Sequence, residues 1–348
     1  MKLGIVGLPH SGKSTTFAAL TGARGQEQEQ TASRAEHKIG TLRVADERVD
    51  FLREIYKPKK TTYAQVEYLL PLQPASTGPT KSESPVWSQI RICDSLLHVV
   101  RNFTAPGGIK PDPEGDYRRL EDEMILNDLG VAEKRIERIE MDAKRGKKPP
   151  EEEYALIKEC KEVLEQGKPL RANSQLAEAQ VLRGFTFLSA KPQLVIINND
   201  DTDESMPEWK TLPERSEIMV LRTRLETDIA SMSQEEAQEF MKEYRIEKSA
   251  LDRVIRSSYS LLNLICFFTV LNDEVRAWTI KKGSSAIEAA GAVHSDMKKG
   301  FIRAEVLAFE RLREHRSFQD AKQRGLVRLE GKSYIVQDGD IIHFRFNV

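Results

Sequence analysis

The sequence predicts an α/β protein built on a doubly wound, mostly parallel sheet, with an inserted helical hairpin and a small mixed domain at its C-terminal end. Three observations predict it. Strand-like and helix-like segments alternate from the start to about residue 115 and again from about 183. Between them lies a stretch dense in Glu, Lys, Arg and Leu whose apolar residues recur at helical spacing. After about residue 261, short β-branched runs return around one helical segment. The expected divisions are 1–115 with 183–260 for the sheet domain, 116–182 for the hairpin and 261–348 for the last domain.

The first strand, 2–6, runs into the most informative stretch of the chain. Residues 4–15 read Gly-Ile-Val-Gly-Leu-Pro-His-Ser-Gly-Lys-Ser-Thr, which places the phosphate-loop pattern on Gly7, Gly12, Lys13 and Ser14. An apolar strand before it and a helix from 15 to 20 supply the context the pattern requires. Glycines let backbone N–H groups curl around a phosphate, and the helix N-terminus adds its positive dipole end. Pro9, His10, Ser11, Gly12, Lys13, Ser14 and Thr15 are the expected phosphate-binding residues. Lys13 would reach the terminal phosphates, and the Ser14 hydroxyl would ligate Mg²⁺. A nucleotide-binding protein follows from this loop.

Further strands are expected at 39–44, 64–70 and 95–100, with a helix around 46–55. The Pro/Ser/Thr/Gly segment 72–85 has no periodicity and reads as a loop. In the hairpin region Leu120, Met124, Leu126, Leu129, Ile136 and Ile139 form one stripe. A break at 146–150 separates it from a second, Leu156, Cys160, Val163 and Leu164. The charges between are the solvated faces of two antiparallel helices. Strands resume at 193–198 and 218–221, and helices continue to 260. Strands at 267–271 and 275–280, a helix over 285–297 and a hairpin turning at Asp338-Gly339-Asp340, between 334–336 and 341–346, complete the chain.

In open α/β sheets ligands sit beyond the carboxyl ends of the strands. Asn198, Asn199 and Asp201 follow the strand 193–198 and offer amide and carboxylate groups to the edge of a purine. The alternative is a polar turn that caps the next helix.

The bulk numbers exclude several classes. A net charge of -1 over 348 residues, 31% of them charged, gives no general attraction to nucleic acid or an anionic membrane. The three cysteines, Cys93, Cys160 and Cys266, are far apart and the six histidines are scattered, so no zinc site or disulfide framework is expected. The chain opens on a strand with no secretory signal, and its longest apolar stretch, near 261–271, is too short to span a bilayer. A soluble cytoplasmic protein without a membrane partner or DNA sequence readout is expected.

The chain resembles the YchF-type family, Obg-related P-loop NTPases that join a G domain, a helical hairpin and a TGS domain. The likeness covers nearly the whole chain. It is densest in Val275-Arg-Ala-Trp-Thr-Ile, Ala289-Ala-Gly-Ala-Val-His-Ser-Asp, Lys299-Gly-Phe-Ile-Arg-Ala-Glu-Val, Arg328-Leu-Glu-Gly-Lys-Ser-Tyr-Ile-Val-Gln-Asp-Gly-Asp and His343-Phe-Arg-Phe-Asn-Val. Tyr56-Lys-Pro-Lys-Lys and His98-Val-Val-Arg match as well. The resemblance implies a P-loop G domain, a β-grasp TGS module at the C-terminal end, ATP or GTP with Mg²⁺, and a ribosome or RNA partner. It also implies that Asn198-Asn-Asp-Asp stands at the family's purine-reading N-x-x-E motif.

Three departures weaken the implied hydrolysis. Where the family carries D-x-A-G, this chain has Leu70-Pro71-Leu72-Gln73. The run Ser33-Arg-Ala-Glu-His-Lys-Ile-Gly40 lacks the switch threonine in register, and 103–113 lacks the family's proposed catalytic histidine. His10 in the loop is a candidate stand-in, against a plain solvated spacer. Loop amides, Lys13 and Ser14 suffice for binding, whereas lost switch contacts remove transition-state stabilisation worth factors of roughly a thousand or more.

The expected function is a purine nucleoside triphosphate-binding regulator with weak or lost hydrolysis that acts on a ribosome or RNA. Alternatives are an ATPase/GTPase with replacement catalytic residues and a non-enzymatic RNA-binding scaffold. A small-molecule kinase is disfavoured, since no acceptor-site lid remains to be assigned. Asp201 restores a carboxylate of guanine-reading length, so ATP and GTP are expected to bind within about tenfold of each other. Arg276, Lys281, Lys282, Lys298, Lys299 and Arg303, interleaved with Trp278, form the local basic cluster for an RNA or ribosome contact.

Overall fold

A computed structural model describes residues 1–22, 26–27, 37–72, 85–210, 213, 215–244, 246, 250–271 and 273–347. Ser33 and most of the 72–85 loop lie outside the described residues. In chain order Lys2–Val6 forms β1, and α1 (Lys13–Thr21) leaves the glycine-rich loop. The short β2 (Gln26–Glu27) pairs antiparallel with β3 (His37–Arg43). Then come α2 (Glu47–Tyr56), β4 (Lys60–Thr62), β5 (Gln65–Pro71), α3 (Pro85–Arg91) and β6 (Ser95–Asn102). The hairpin is α4 (Pro113–Lys144) and α5 (Glu151–Glu165), followed by α6 (Ser174–Glu178). Next are β7 (Gln193–Asn199), β8 (Ser216–Leu221), α7 (Thr223–Ser231), α8 (Gln234–Glu243) and α9 (Ala250–Leu261). The remainder holds β9 (Leu264–Leu271), β10 (Glu274–Lys281), α10 (Ala286–Val293), α11 (Ser295–Lys299), β11 (Phe301–Ala308), α12 (Phe309–His315), α13 (Phe318–Gln323), β12 (Arg328–Glu330) and β13 (Asp340–Phe346).

The chain divides into two compact units. The first comprises Met1–Leu42 and Glu67–Val254. Its sheet has the order β2-β3-β5-β1-β6-β7-β8, and β5, β1, β6, β7 and β8 run parallel. Strands covered on both faces read as unbroken apolar runs, and every residue of β7 is buried. The doubly wound expectation holds. Their carboxyl ends gather Val6, Pro71, Asn102 and Asn199 on one edge.

The hairpin is as expected: α4 and α5 pack through Ile125, Ala132, Ile157, Cys160 and Leu164. Asp112 caps α4 by accepting from the Gly115 N–H at 3.1 Å, with Pro113 in the first turn. Polar groups fasten its base to the sheet. Asp128, fully buried, accepts from the backbone N–H of Leu188 and Ser189 at 3.0 and 2.7 Å. Arg171 meets Glu121 at 2.5 Å, and Gln193 donates to the Tyr117 hydroxyl at 2.6 Å. Among the described residues no helix is long and apolar enough to cross a membrane.

The second unit comprises Arg43–Val66 and Ile255–Val348. Its sheet has the order β12-β11-β13-β9-β10-β4. The β9–β10 hairpin is antiparallel, α10 packs across it through Ala286, Ala289 and Ala290, and β13 returns parallel to β9. This is the β-grasp arrangement. The helix expected around 46–55 forms over Glu47–Tyr56, capped by Asp46, but it belongs to this unit rather than the first. The next segment supplies β4, which pairs parallel to β10.

One expected hairpin is absent. Residues 334–336 do not pair with 341–346; β13 instead lies between β11 and β9. Both its edges are occupied, so no third strand can join. The Asp338–Asp340 turn bonds outward: the Gly339 N–H donates to the Cys266 carbonyl at 2.8 Å, and Asp338 accepts from the Cys266 N–H at 2.8 Å. Local turn chemistry was right and its partner wrong. The helix expected over 285–297 is split at His294, whose extended backbone ends α10 and whose ring caps α11.

Candidate nucleotide site

The loop between β1 and α1 is shaped by two close approaches. A Cβ on Gly7 would collide with the Val99 carbonyl oxygen of β6. Gly12 caps α1 with a left-handed φ of 95°, and a Cβ there would collide with the Asn198 amide. His10, at φ 63°, turns the tip outward and is exposed with Pro9. The Ser11 N–H donates to the Leu8 carbonyl at 3.2 Å, tightening the turn. Ser11 Oγ is buried with no partner among the described residues.

Lys13 lies inside this loop. Its Nζ donates to the Gly7 and Leu8 carbonyls at 2.8 and 2.7 Å. Burial lowers its pKa to about 8. An ammonium held by two carbonyls of the loop it will serve is positioned to exchange them for phosphate oxygens. Ser14 is exposed at the first turn of α1, and Thr15 is half-buried, its carbonyl accepting from Thr227 Oγ1 at 3.4 Å. The Thr16 hydroxyl returns to the Gly12 carbonyl at 2.9 Å.

An exposed serine hydroxyl at a helix start suits Mg²⁺, which keeps most of its shell as water and phosphate oxygen. At the position of the family's D-x-A-G aspartate this chain has an apolar side chain. Leu70, at the end of β5, is buried, and Pro71 follows it. Among the described residues no cluster of three acidic, histidine or cysteine side chains forms.

The structure does not bring the Asn198 and Asn199 side chains together. Asn198 and Asn199 are adjacent in β7, so their side chains leave opposite faces. Asn198 faces the phosphate loop: its Nδ2 donates to the Ser11 carbonyl at 3.0 Å. Its Oδ1 accepts from the Thr223 N–H and hydroxyl at 3.2 and 2.8 Å. Asn199 faces away, donating to the Asp203 and Ser205 carbonyls at 3.0 and 2.7 Å and accepting from Asn102 at 2.9 Å. Its amide is fully engaged in its own turn and has no hydrogen left for a base. Asp201 stays partly exposed, 3.7 Å from Arg224 Nε. Arg222, whose guanidinium reaches the Asp201 carbonyl at 3.3 Å and Glu204 at 2.7 Å, stiffens the same turn.

Sequence reasoning missed Thr223 and Thr227. The signal was present: Thr223 stands two residues past the strand at 218–221, where a strand end passes into a helix. His10, the candidate stand-in for a catalytic histidine, is at the exposed tip.

Comparison with known proteins shows the family. The family model YchF-GTPase_C, described as "Protein of unknown function (DUF933)", matches residues 264–347. The "Ribosome-binding ATPase YchF" of Bacillus subtilis is 39% identical over 363 aligned residues, covering 99% of both chains. That of Escherichia coli O157:H7 is 38% identical, covering 100% of this chain and 99% of its own. The structure of the Schizosaccharomyces pombe YchF GTPase superimposes with a TM-score of 0.79 at 29% identity, covering 99% of this chain and 97% of that one. With relatives of this identity aligned from end to end, the chain belongs to the YchF family.

Proposed function

We propose that the protein binds a purine nucleoside triphosphate with Mg²⁺, hydrolyses it slowly, and uses nucleotide state to govern attachment to ribosome or RNA in the cytoplasm. One observation carries the reading: a complete phosphate loop, with Lys13 poised inside it, stands beside an apolar edge at Leu70 and Pro71. Loop amides and Lys13 bind the phosphates. Ser14 would hold Mg²⁺, which would neutralise charge on the phosphate oxygens. Asn198 joins loop and base site, and Asp201 faces the base with no competing amide from Asn199.

The relatives' name, ribosome-binding ATPase, supports the partner. On the β-grasp unit, a TGS-type module in this reading, Lys281, Lys282, Lys298, Lys299 and Arg303 are exposed. Trp278 is less available. Its indole donates to Thr269 at 2.9 Å, its ring packs on the core, and Arg276 lies 3.9 Å over it. Contact with nucleic acid is therefore electrostatic, through the lysines.

The test is calorimetric titration with ATP and GTP beside single-turnover hydrolysis, with ribosome co-sedimentation in each nucleotide state. Expected are affinities within about tenfold, turnover well below roughly 1 s⁻¹, and co-sedimentation that Lys281, Lys282, Lys298 and Lys299 reversed to Glu eliminates. A hundredfold base preference, or ribosome binding that survives the reversal, refutes the corresponding part.

A further inference from the structure

A cavity of about 100 Å³ opens beside the phosphate loop. A space of this size admits water. Its lining converges from four directions: Pro9 and Lys13 from the loop and α1, Pro71 from the end of β5, Trp87 from α3, and Leu120 and Glu123 from α4. Among the described residues that line it, Glu123 is the only acidic side chain.

Glu123 is held there. Trp87 is 3% exposed, packed among Val6, Leu69, Ile90, Leu120 and Met124. A buried indole needs a partner for its N–H, and Trp87 Nε1 donates to Glu123 Oε1 at 3.0 Å. That bond fixes one carboxylate oxygen and leaves Oε2 without a protein partner among the described residues. A glutamate on the solvated face of a long helix would ordinarily be free to move. This one is tied to the core at the mouth of a space that also contains the phosphate-binding lysine.

We propose that Glu123 positions the water that attacks the terminal phosphate. This deepens the slow-hydrolysis reading and rests on it. As the water oxygen bonds to the γ-phosphorus, the bond from phosphorus to the bridging oxygen breaks. Its electron pair stays on the nucleoside diphosphate, and one water proton passes to Glu123 and on to solvent. The products are nucleoside diphosphate, phosphate and one proton. Pro71, Trp87 and Leu120 give the space apolar walls beside that water.

Glu123→Gln, Glu123→Asp and Trp87→Phe in the full chain test this by single-turnover hydrolysis across pH, with ATP and GTP affinity measured on the same samples. Glu123→Gln is expected to slow hydrolysis about a hundredfold with nucleotide affinity within about twofold. It should also lose the acid limb of the pH–rate profile. Glu123→Asp should keep that limb at reduced rate, and Trp87→Phe should lower the rate with affinity unchanged. Hydrolysis by Glu123→Gln within about twofold of wild type overturns the proposal. So does a wild-type protein that binds nucleotide but shows no hydrolysis dependent on Lys13. Failure of the wild type to bind nucleotide at all overturns the reading beneath it, and affinity alone identifies that case.

Discussion

Asn198 and Thr223 are joined twice: the asparagine Oδ1 accepts both the Thr223 backbone N–H, at 3.2 Å, and its hydroxyl, at 2.8 Å. Both residues are buried. The asparagine's other end donates to Ser11, so one amide ties the end of β7 and the start of α7 to the phosphate loop.

Asn198→Ala removes one side chain and leaves a carbonyl, an N–H and a hydroxyl buried without partners. We expect a loss of about 2–4 kcal/mol in folding stability, measured by urea denaturation, together with weakened ATP and GTP binding. Thr223→Val keeps the backbone bond and should cost about 1 kcal/mol. Equal costs for the two variants would refute the asymmetry.

Lys13 makes binding pH-dependent. Burial holds its pKa at about 8 in the free protein, and a triphosphate favours the charged form. Above pH 8 the ligand must therefore bring a proton with it. Affinity should be flat below pH 7.5 or so and fall by up to about tenfold per pH unit above 8. Lys13→Ala should bind weakly and without that slope. A wild-type affinity constant to pH 9.5 would show that the lysine stays charged in the free loop.

The phosphate loop and the parallel sheet were legible because their signals are local. Gly7, Gly12 and Lys13 are a spacing, and the middle of β7, residues 194–197, is an apolar run. What was not legible depended on distant partners. Asn198 and Asn199 look equivalent as letters; only strand alternation and the reach of Ser11 and Asp203 separate them. The turn at Asp338–Asp340 carried a hairpin signature, but its bonds go to Cys266, 72 residues away. By spacing, Glu123 is one more solvated charge on a helical hairpin; the bond it accepts from Trp87 comes from a residue 36 positions away.

His98 should set the acid stability of the first unit. It is 1% exposed, stacked on Tyr117 at 5.0 Å, and burial lowers its pKa to about 4. Glu121 opposes that shift and Arg171 reinforces it. Between about pH 6.5 and 4 the unfolded chain binds a proton that the folded chain refuses, so stability is complete above 6.5 and is lost as pH falls through the window. The loss from this residue reaches about 3 kcal/mol. His98→Phe keeps the stacked ring and removes the titration. Urea midpoints at pH 7 and 4.5 should converge in the variant; an unchanged difference would assign the acid sensitivity to other groups.

The β-grasp unit should not fold without the segment from Arg43 to Val66. Val49 and Leu52 of α2 are fully buried in one cluster with Phe268, Phe309, Leu312 and Ile341, and β4 covers the β10 edge from Glu274 to Arg276. Arg48 adds a further hold, donating to Asp338 at 2.8 Å, in the turn that β13 leaves, and lying 5.1 Å over the Phe268 ring. A fragment of 255–348 would expose that apolar cluster and an unpaired strand edge, both of which favour aggregation. We expect it to unfold without cooperativity and to bind a hydrophobic dye. Residues 43–66 fused to it through a flexible linker should restore a cooperative transition. In the full chain, Leu52→Ala should cost about 2–5 kcal/mol by leaving a cavity between α2 and the sheet. A cooperatively folded 255–348 fragment would show that the inserted segment decorates the unit rather than completing it.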